Sequence, residues 1–179
     1  MKHAENEKSI ENEIKDKAFK NLIALLMKLS FLLFAILFIF GFCFGLKRMP
    51  TSFMSPRITE GDLLLFYRLD KNYKLNDVVL VKYNDNTFVA RIVATSGQTV
   101  QISEDEELLI NGYPEENTAF FPTKINEESS IHFPYIVNAN EFFVMNDYRL
   151  NTEDSRTLGA IPASAIKGKI FARIQIRDI

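Results

Sequence analysis

Cysteine and histidine are nearly missing from this chain of 179 residues: one cysteine, Cys43, and two histidines. A single thiol cannot form an intramolecular disulfide, a cysteine-based metal site or a redox pair. His3 and His132 stand apart, with no ligand-spaced neighbours, so no metal centre is expected. Glycine-rich phosphate loops and nucleotide fingerprints are absent, and no cofactor is expected. The formal net charge of −2 gives no electrostatic reason to expect nucleic acid. There is no internal repeat and no low-complexity tract.

Hydrophobic residues make up 47% of the chain, ample for a core. Part of that content is concentrated between Leu29 and Leu46, a run without charge that is rich in Phe, Leu and Ile. As a helix rising 1.5 Å per residue it would extend roughly 27 Å, near the hydrocarbon thickness of a bilayer. Lys28 on one side and Lys47-Arg48 on the other can snorkel to the headgroups. A cleavable signal peptide usually has a shorter apolar region and small residues before the cut, and no such pattern follows here. A lipoprotein site at Cys43 is opposed by the bulk of Phe42. A buried soluble helix apolar on all sides is the remaining rival. An uncleaved transmembrane helix over residues 29–46 is the favoured reading. Residues 1–28 form the segment before it: 1–16 are charged and expected to fray, and Ile14, Phe19, Leu22 and Ile23 recur near helical spacing. Bases on both flanks leave orientation nearly undecided by charge.

Beyond Pro50 the pattern changes to short β-branched and aromatic runs separated by polar turns. Leu63–Tyr67, Val78–Tyr83, Phe88–Ala94, Thr99–Ile102, Leu108–Ile110, Phe142–Met145 and Ile170–Ile174 read as strands. Asn111-Gly112 is a strong hairpin signal. A simple hairpin through Asn84-Asp85-Asn86-Thr87 would pair Tyr83 with Phe88, setting Ala90 opposite Val81 and Lys82 opposite Val89. Residues 113–134, with three prolines and several acids, read as a long surface excursion. The whole is mainly β: one N-terminal helix, then a β domain over residues 49–179, expected to be a partly closed barrel.

Three segments carry a family resemblance. Phe53-Met54-Ser55-Pro56-Arg57-Ile58-Thr59-Glu60-Gly61-Asp62 resembles the nucleophile box of type I signal peptidases, typically Ser-Met-x-Pro-Thr-Leu-x-x-Gly-Asp. Val89-Ala90-Arg91-Ile92-Val93 resembles the strand that holds the family's general-base lysine. The run from Asn146 to Gly159 resembles Gly-Asp-Asn-Arg-x-x-Ser-x-Asp-Ser-Arg-x-x-Gly, with Asn146 replacing the glycine and Tyr148 the asparagine. Val78-Val79, Ser96–Val100 and Ile110-Asn111-Gly112 add to the match in the right order.

The resemblance implies a signal-peptidase-like fold with both halves of the dyad missing: Phe53 stands at the serine and Ala90 at the lysine. Phenylalanine has no atom to attack a carbonyl and alanine none to accept a proton, so no acyl-enzyme can form. Supporting positions remain, among them Met54 and Pro56 of the first box. Thr51 stands where some members place an oxyanion-binding hydroxyl, and Thr152 at the serine that hydrogen-bonds the lysine. Asp154 and Arg156 stand at a structural ion pair, Ser155 lies between them, and Asp147 and Arg149 stand in the Gly-Asp-Asn-Arg run. The plainer account is that these residues only hold loops together. Phe53 either plugs a vacated cleft or remains as an anchor in a groove that binds peptide by strand addition. The Leu63–Tyr67 run is either a buried strand or an apolar patch resting on the membrane.

What the resemblance implies about role is a single-pass plasma-membrane protein, N-terminus cytoplasmic and C-terminal domain extracytoplasmic. It would bind an exported polypeptide without catalysis. Signal-peptidase-like proteins lacking the dyad occur among pilus-assembly accessory factors of Gram-positive bacteria, acting with pilin subunits and class C sortases, and this chain is similar to those. An active signal peptidase with a nucleophile relocated to Ser52 or Ser55 is the alternative, and a subunit regulating another peptidase a third.

Overall fold

A computed structural model describes residues 2–115, 120–127 and 129–176, with side chains from residue 15 onward. It divides into two compact units, Met1–Phe42 and Cys43–Ile179. The first is helix α1, Lys2–Cys43. No proline interrupts it, its first glycine is Gly41, and Asp16 precedes Lys20 at the four-residue spacing that favours a helix. The charged N-terminal stretch is therefore helical rather than frayed. Its part from Lys15 to Cys43 is long and apolar enough to cross a membrane. The helix stops at Cys43, so Phe44, Gly45 and Leu46 lie outside it, in strand β1, Phe44–Arg48. The β unit accordingly begins at Cys43, not at residue 49.

The second unit holds two antiparallel sheets. The larger contains β1 with β2 (Leu63–Tyr67), β3 (Val78–Tyr83), β4 (Asn86–Thr95), β9 (Glu141–Met145), β10 (Ile161–Pro162) and β11 (Ile166–Ile174). Its order is β1-β2-β11-β3-β4-β9-β10, with β1 and β10 at the two ends and not paired to each other among the described residues. The smaller sheet, ordered β7-β6-β5-β8, comprises β5 (Thr99–Ile102), β6 (Leu108–Ile110), β7 (Tyr113–Pro114) and β8 (Tyr135–Ile136). Asn111-Gly112 closes the β6–β7 hairpin, both residues having positive φ.

The β3–β4 hairpin is tighter than its sequence suggests. Tyr83 pairs with Asn86, so Asn84 and Asp85 alone make the turn, with φ of 47° and 62°. Ala90 consequently pairs with Val79 and Lys82 with Thr87, a two-residue shift from the expected register. An even shift preserves the faces of a strand, so Lys82 and Ala90 still project to opposite sides.

Alternation along β3 and β4 feeds two cores. Val79, Val81, Ala90 and Ile92 pack with Val144, Ile161 and Ile166. Leu80 and Val89 pack on the other side with Met49, Met54, Ile58, Leu64 and Phe66. A third cluster, around Val100, Phe143 and Met145, joins the smaller sheet to the larger. Where β11 passes between β2 and β3, a Cβ on Gly168 would lie 2.5 Å from the Tyr67 carbonyl oxygen. That oxygen belongs to paired backbone and cannot swing away, so Gly168→Ala is expected to lower stability by about 1–3 kcal/mol. Denaturant unfolding of the detergent-solubilised protein measures it; an unchanged midpoint would show that β2 and β11 separate at little cost.

Candidate peptide-binding cleft

Residues 49–53 and the start of β4 face each other across a cleft of about 380 Å³. Met49, Pro50, Thr51 and Phe53 line it together with Asn86 to Val89 and with Glu153, Thr157 and Leu158. Met49 is held from both directions, its N–H donating to the Asp62 carbonyl at 2.8 Å and its carbonyl accepting from Gly61 N–H at 3.0 Å. The Phe53 carbonyl accepts from Tyr148 N–H at 2.9 Å, tying the first box to the third. The ring of Phe53 is half-buried, so it lines the cleft rather than filling it. Ala90 lies next to Val89 on the strand, but its methyl is fully buried in the core of Val79 and Val144 and is not part of the lining.

The other residues of the first box lie elsewhere. Met54 is fully buried beneath the cleft, and Pro56 is exposed after a cis peptide bond. Asp62 is buried, its Oδ2 accepting from Thr59 N–H at 3.0 Å and lying 3.5 Å from Arg173, which also donates to the Arg57 carbonyl.

The third box is a scaffold of buried charge. Asp154 caps the short helix α2, Ser155–Leu158, accepting from Arg156 N–H at 3.0 Å and from Asn146 N–H at 2.9 Å. The same carboxylate accepts from Nε and Nη2 of Arg156, at 2.9 and 2.7 Å, with neither side chain exposed. Arg156 donates further to the carbonyls of Arg149 at 2.6 Å, Lys124 at 2.7 Å and Asn151. Ser155 Oγ accepts from Val144 N–H at 2.9 Å, holding α2 against β9. Thr152 is half-buried and contributes its carbonyl to Thr157 Oγ1 at 2.7 Å.

Two more ion pairs surround this centre. Asp147 grips Arg91 with both oxygens at 2.7 and 2.6 Å, and Arg57 stands 3.8 Å away. Burial depresses the Arg91 pKa, but the hydrogen bonds and charge of Asp147 more than offset it and leave it raised. Arg149 binds Glu115 through Nη2 at 3.0 and 2.9 Å. Burial pushes the Glu115 carboxyl up and Arg149 down, in each case against the pull of the partner. Burial therefore works against the charged form of both partners there.

The third box also fastens the segment after β7. Besides the Lys124 carbonyl, Asn126 donates to Thr157 Oγ1 at 3.0 Å, and Ser129 Oγ donates to the Arg156 carbonyl at 2.9 Å. Phe121 meets the Tyr148 ring edge-on at 4.8 Å, and Phe120 lies 5.2 Å under the Arg57 guanidinium. The described part of 113–134 is therefore fixed to the scaffold, not a free excursion.

Of the residues singled out in the sequence, the cleft gathers Thr51 and Phe53. Asp147, Arg149, Asp154, Ser155 and Arg156 lie in the buried frame. Glu153, Thr157 and Leu158 fall at unspecified positions of the third box, and Phe88 reads only as part of a strand, so the sequence singles none of them out for the site. Removing the Arg156 guanidinium would strand the Asp154 carboxylate in the interior. Arg156→Ala is expected to cost about 3–5 kcal/mol, read from denaturant unfolding, and a loss under 1 kcal/mol would show that the pair is dispensable.

Residues 22–175 match the family described as Signal peptidase, peptidase S26. The "Inactive signal peptidase IA" of Staphylococcus aureus (strain Mu50 / ATCC 700699) is 26% identical over 161 residues, covering 86% of this chain and 92% of that protein. A "Mitochondrial ATP-independent inner membrane protease subunit 1b" of Arabidopsis thaliana is 26% identical over 140 residues, 75% of this chain and 68% of its own. The crystal structure of a signal peptidase I from Enterococcus faecalis V583 is 19% identical, covers 56% of this chain and 97% of that one, and has a TM-score of 0.45. With a match that begins inside the apolar helix and ends just past the last strand, this chain belongs to the signal peptidase family, peptidase S26.

Proposed function

We propose that this chain is a membrane-anchored, non-catalytic member of its family that holds an exported polypeptide without cleaving it. The observation that carries this reading is the make-up of the open cleft, whose described lining includes neither a lysine nor a histidine that could serve as base. The resemblance places Phe53 at the nucleophile and Ala90 at the base, and similarity to proteins named inactive signal peptidase supports the same conclusion. The apolar helix supports single-pass anchoring in the plasma membrane. An N-terminus inside and a cleft outside follow from the family resemblance and are part of the proposal. The partner proposed is a pilin or a class C sortase during pilus assembly, a choice that rests on resemblance alone.

The active-peptidase alternative needs a displaced dyad. Ser52 is exposed, Ser55 is half-buried, and neither lines the cleft. Lys82 is exposed on the face of β4's partner strand opposite to Ala90. Preprotein cleavage by the detergent-solubilised protein is the test. The wild type is expected to show no cleavage. Wild-type cleavage abolished by Ser52→Ala or Ser55→Ala would overturn the proposal.

A further inference from the structure

We infer that the cleft selects an extended peptide carrying a bulky apolar side chain with a lysine or arginine within two residues of it. The inference rests on the peptide-holding role proposed above and adds what the peptide must look like.

The edge of β4 supplies the main-chain recognition. A two-residue turn makes Tyr83 and Asn86 a hydrogen-bonded pair, so Asn86, Phe88 and Ala90 direct their N–H and carbonyl groups toward β3. Ile92 continues the alternation, donating to the Asp77 carbonyl and accepting from Asn76 N–H, each at 2.9 Å, on that same side. Thr87, Val89 and Arg91 therefore point the other way. β9 meets this side only from Arg91, which pairs with Met145, to Thr95. The main-chain groups of Thr87 and Val89, both in the cleft lining, have no described strand beside them. Thr51, also in the lining, makes no backbone hydrogen bond with a described residue either, so it too is left to an extended chain.

Side-chain selection follows from size and lining. The cleft of about 380 Å³ falls within the range of small-molecule pockets, roughly 300–1,000 Å³. Met49, Pro50, Phe53, Phe88, Val89 and Leu158 make it largely apolar. An alanine methyl would leave most of that volume without contact, whereas a phenylalanine or leucine would use it. Among the described lining residues Glu153 is the one with a formal charge, is exposed at the end of the cleft, and has no ion pair or side-chain hydrogen bond with a described residue. A cation on the peptide would complement it.

The test is binding of fluorescein-labelled ten-residue peptides to the full chain in phosphatidylcholine nanodiscs, read by fluorescence anisotropy. One position holds alanine, leucine or phenylalanine, flanked two residues away by lysine or by glutamate. Phenylalanine and leucine peptides are expected to bind about tenfold or more tightly than alanine, and lysine-flanked peptides more tightly than glutamate-flanked ones. Glu153→Gln should remove the lysine preference and leave the apolar preference intact. Thr87→Pro, which deletes a donor facing away from β3, should weaken every peptide by a similar factor. Should that variant fail to fold, peptides N-methylated at alternate backbone positions must reproduce the loss at one parity only. Binding in which alanine equals phenylalanine, or glutamate equals lysine, overturns this inference and leaves the peptide-holding role standing. Absence of binding by every peptide overturns that role as well.

Discussion

Arg156 and Asp154 meet in a place with no solvent, and much of the domain around the cleft is organised by that contact. Two formal charges buried without water would be ruinous singly, and they are tolerated because nearly every polar edge is used. The carboxylate caps α2 and holds Asn146, while the guanidinium gathers carbonyls from Arg149, Asn151 and Lys124. Those three carbonyls come from two separate stretches of chain. One side chain thus welds the third box to the segment leading out of the smaller sheet, and Ser155 fastens the assembly to β9.

This arrangement separates holding the cleft from acting in it. The ion pairs of Asp147, Arg149 and Asp154 are buried in the frame, and none of these residues lines the open space. Their energetic roles differ. Arg91 gains enough from Asp147 to outweigh its burial, whereas burial pushes Glu115 up and Arg149 down against the pull of the partner. No side-chain contact of this frame involves position 53 or position 90, so its geometry is independent of the side chains there.

The strands were largely legible because their apolar residues alternate over short runs between polar turns, as in Leu63–Tyr67 and Val78–Tyr83. Asn111-Gly112 announced its turn by composition, while Asn84-Asp85 did not: without a glycine, a positive φ at both positions is easily passed over in favour of a longer loop. The helix boundary at Cys43 was obscured because Phe44 and Leu46 suit a strand as well as a membrane span. The charged frame was visible as a motif, yet its partners Glu115 and Lys124 lie far away in sequence and belong to no box. Long-range pairing of this kind is decided by tertiary packing, which a local pattern does not encode.

The tight turn at Asn84-Asp85 constrains more than a hairpin. One residue added to or removed from this turn must be absorbed either in the loop as a bulge or as a one-residue slip of the β3–β4 pairing. Slippage would send Ala90 and Ile92 to the wrong core and turn the main-chain groups of Thr87 and Val89 inward. Compensated pairs of insertions would preserve both. Lineages descending from this chain can therefore vary this turn chiefly among residues that tolerate a positive φ, and keep the cleft where a change of length does not slip the pairing.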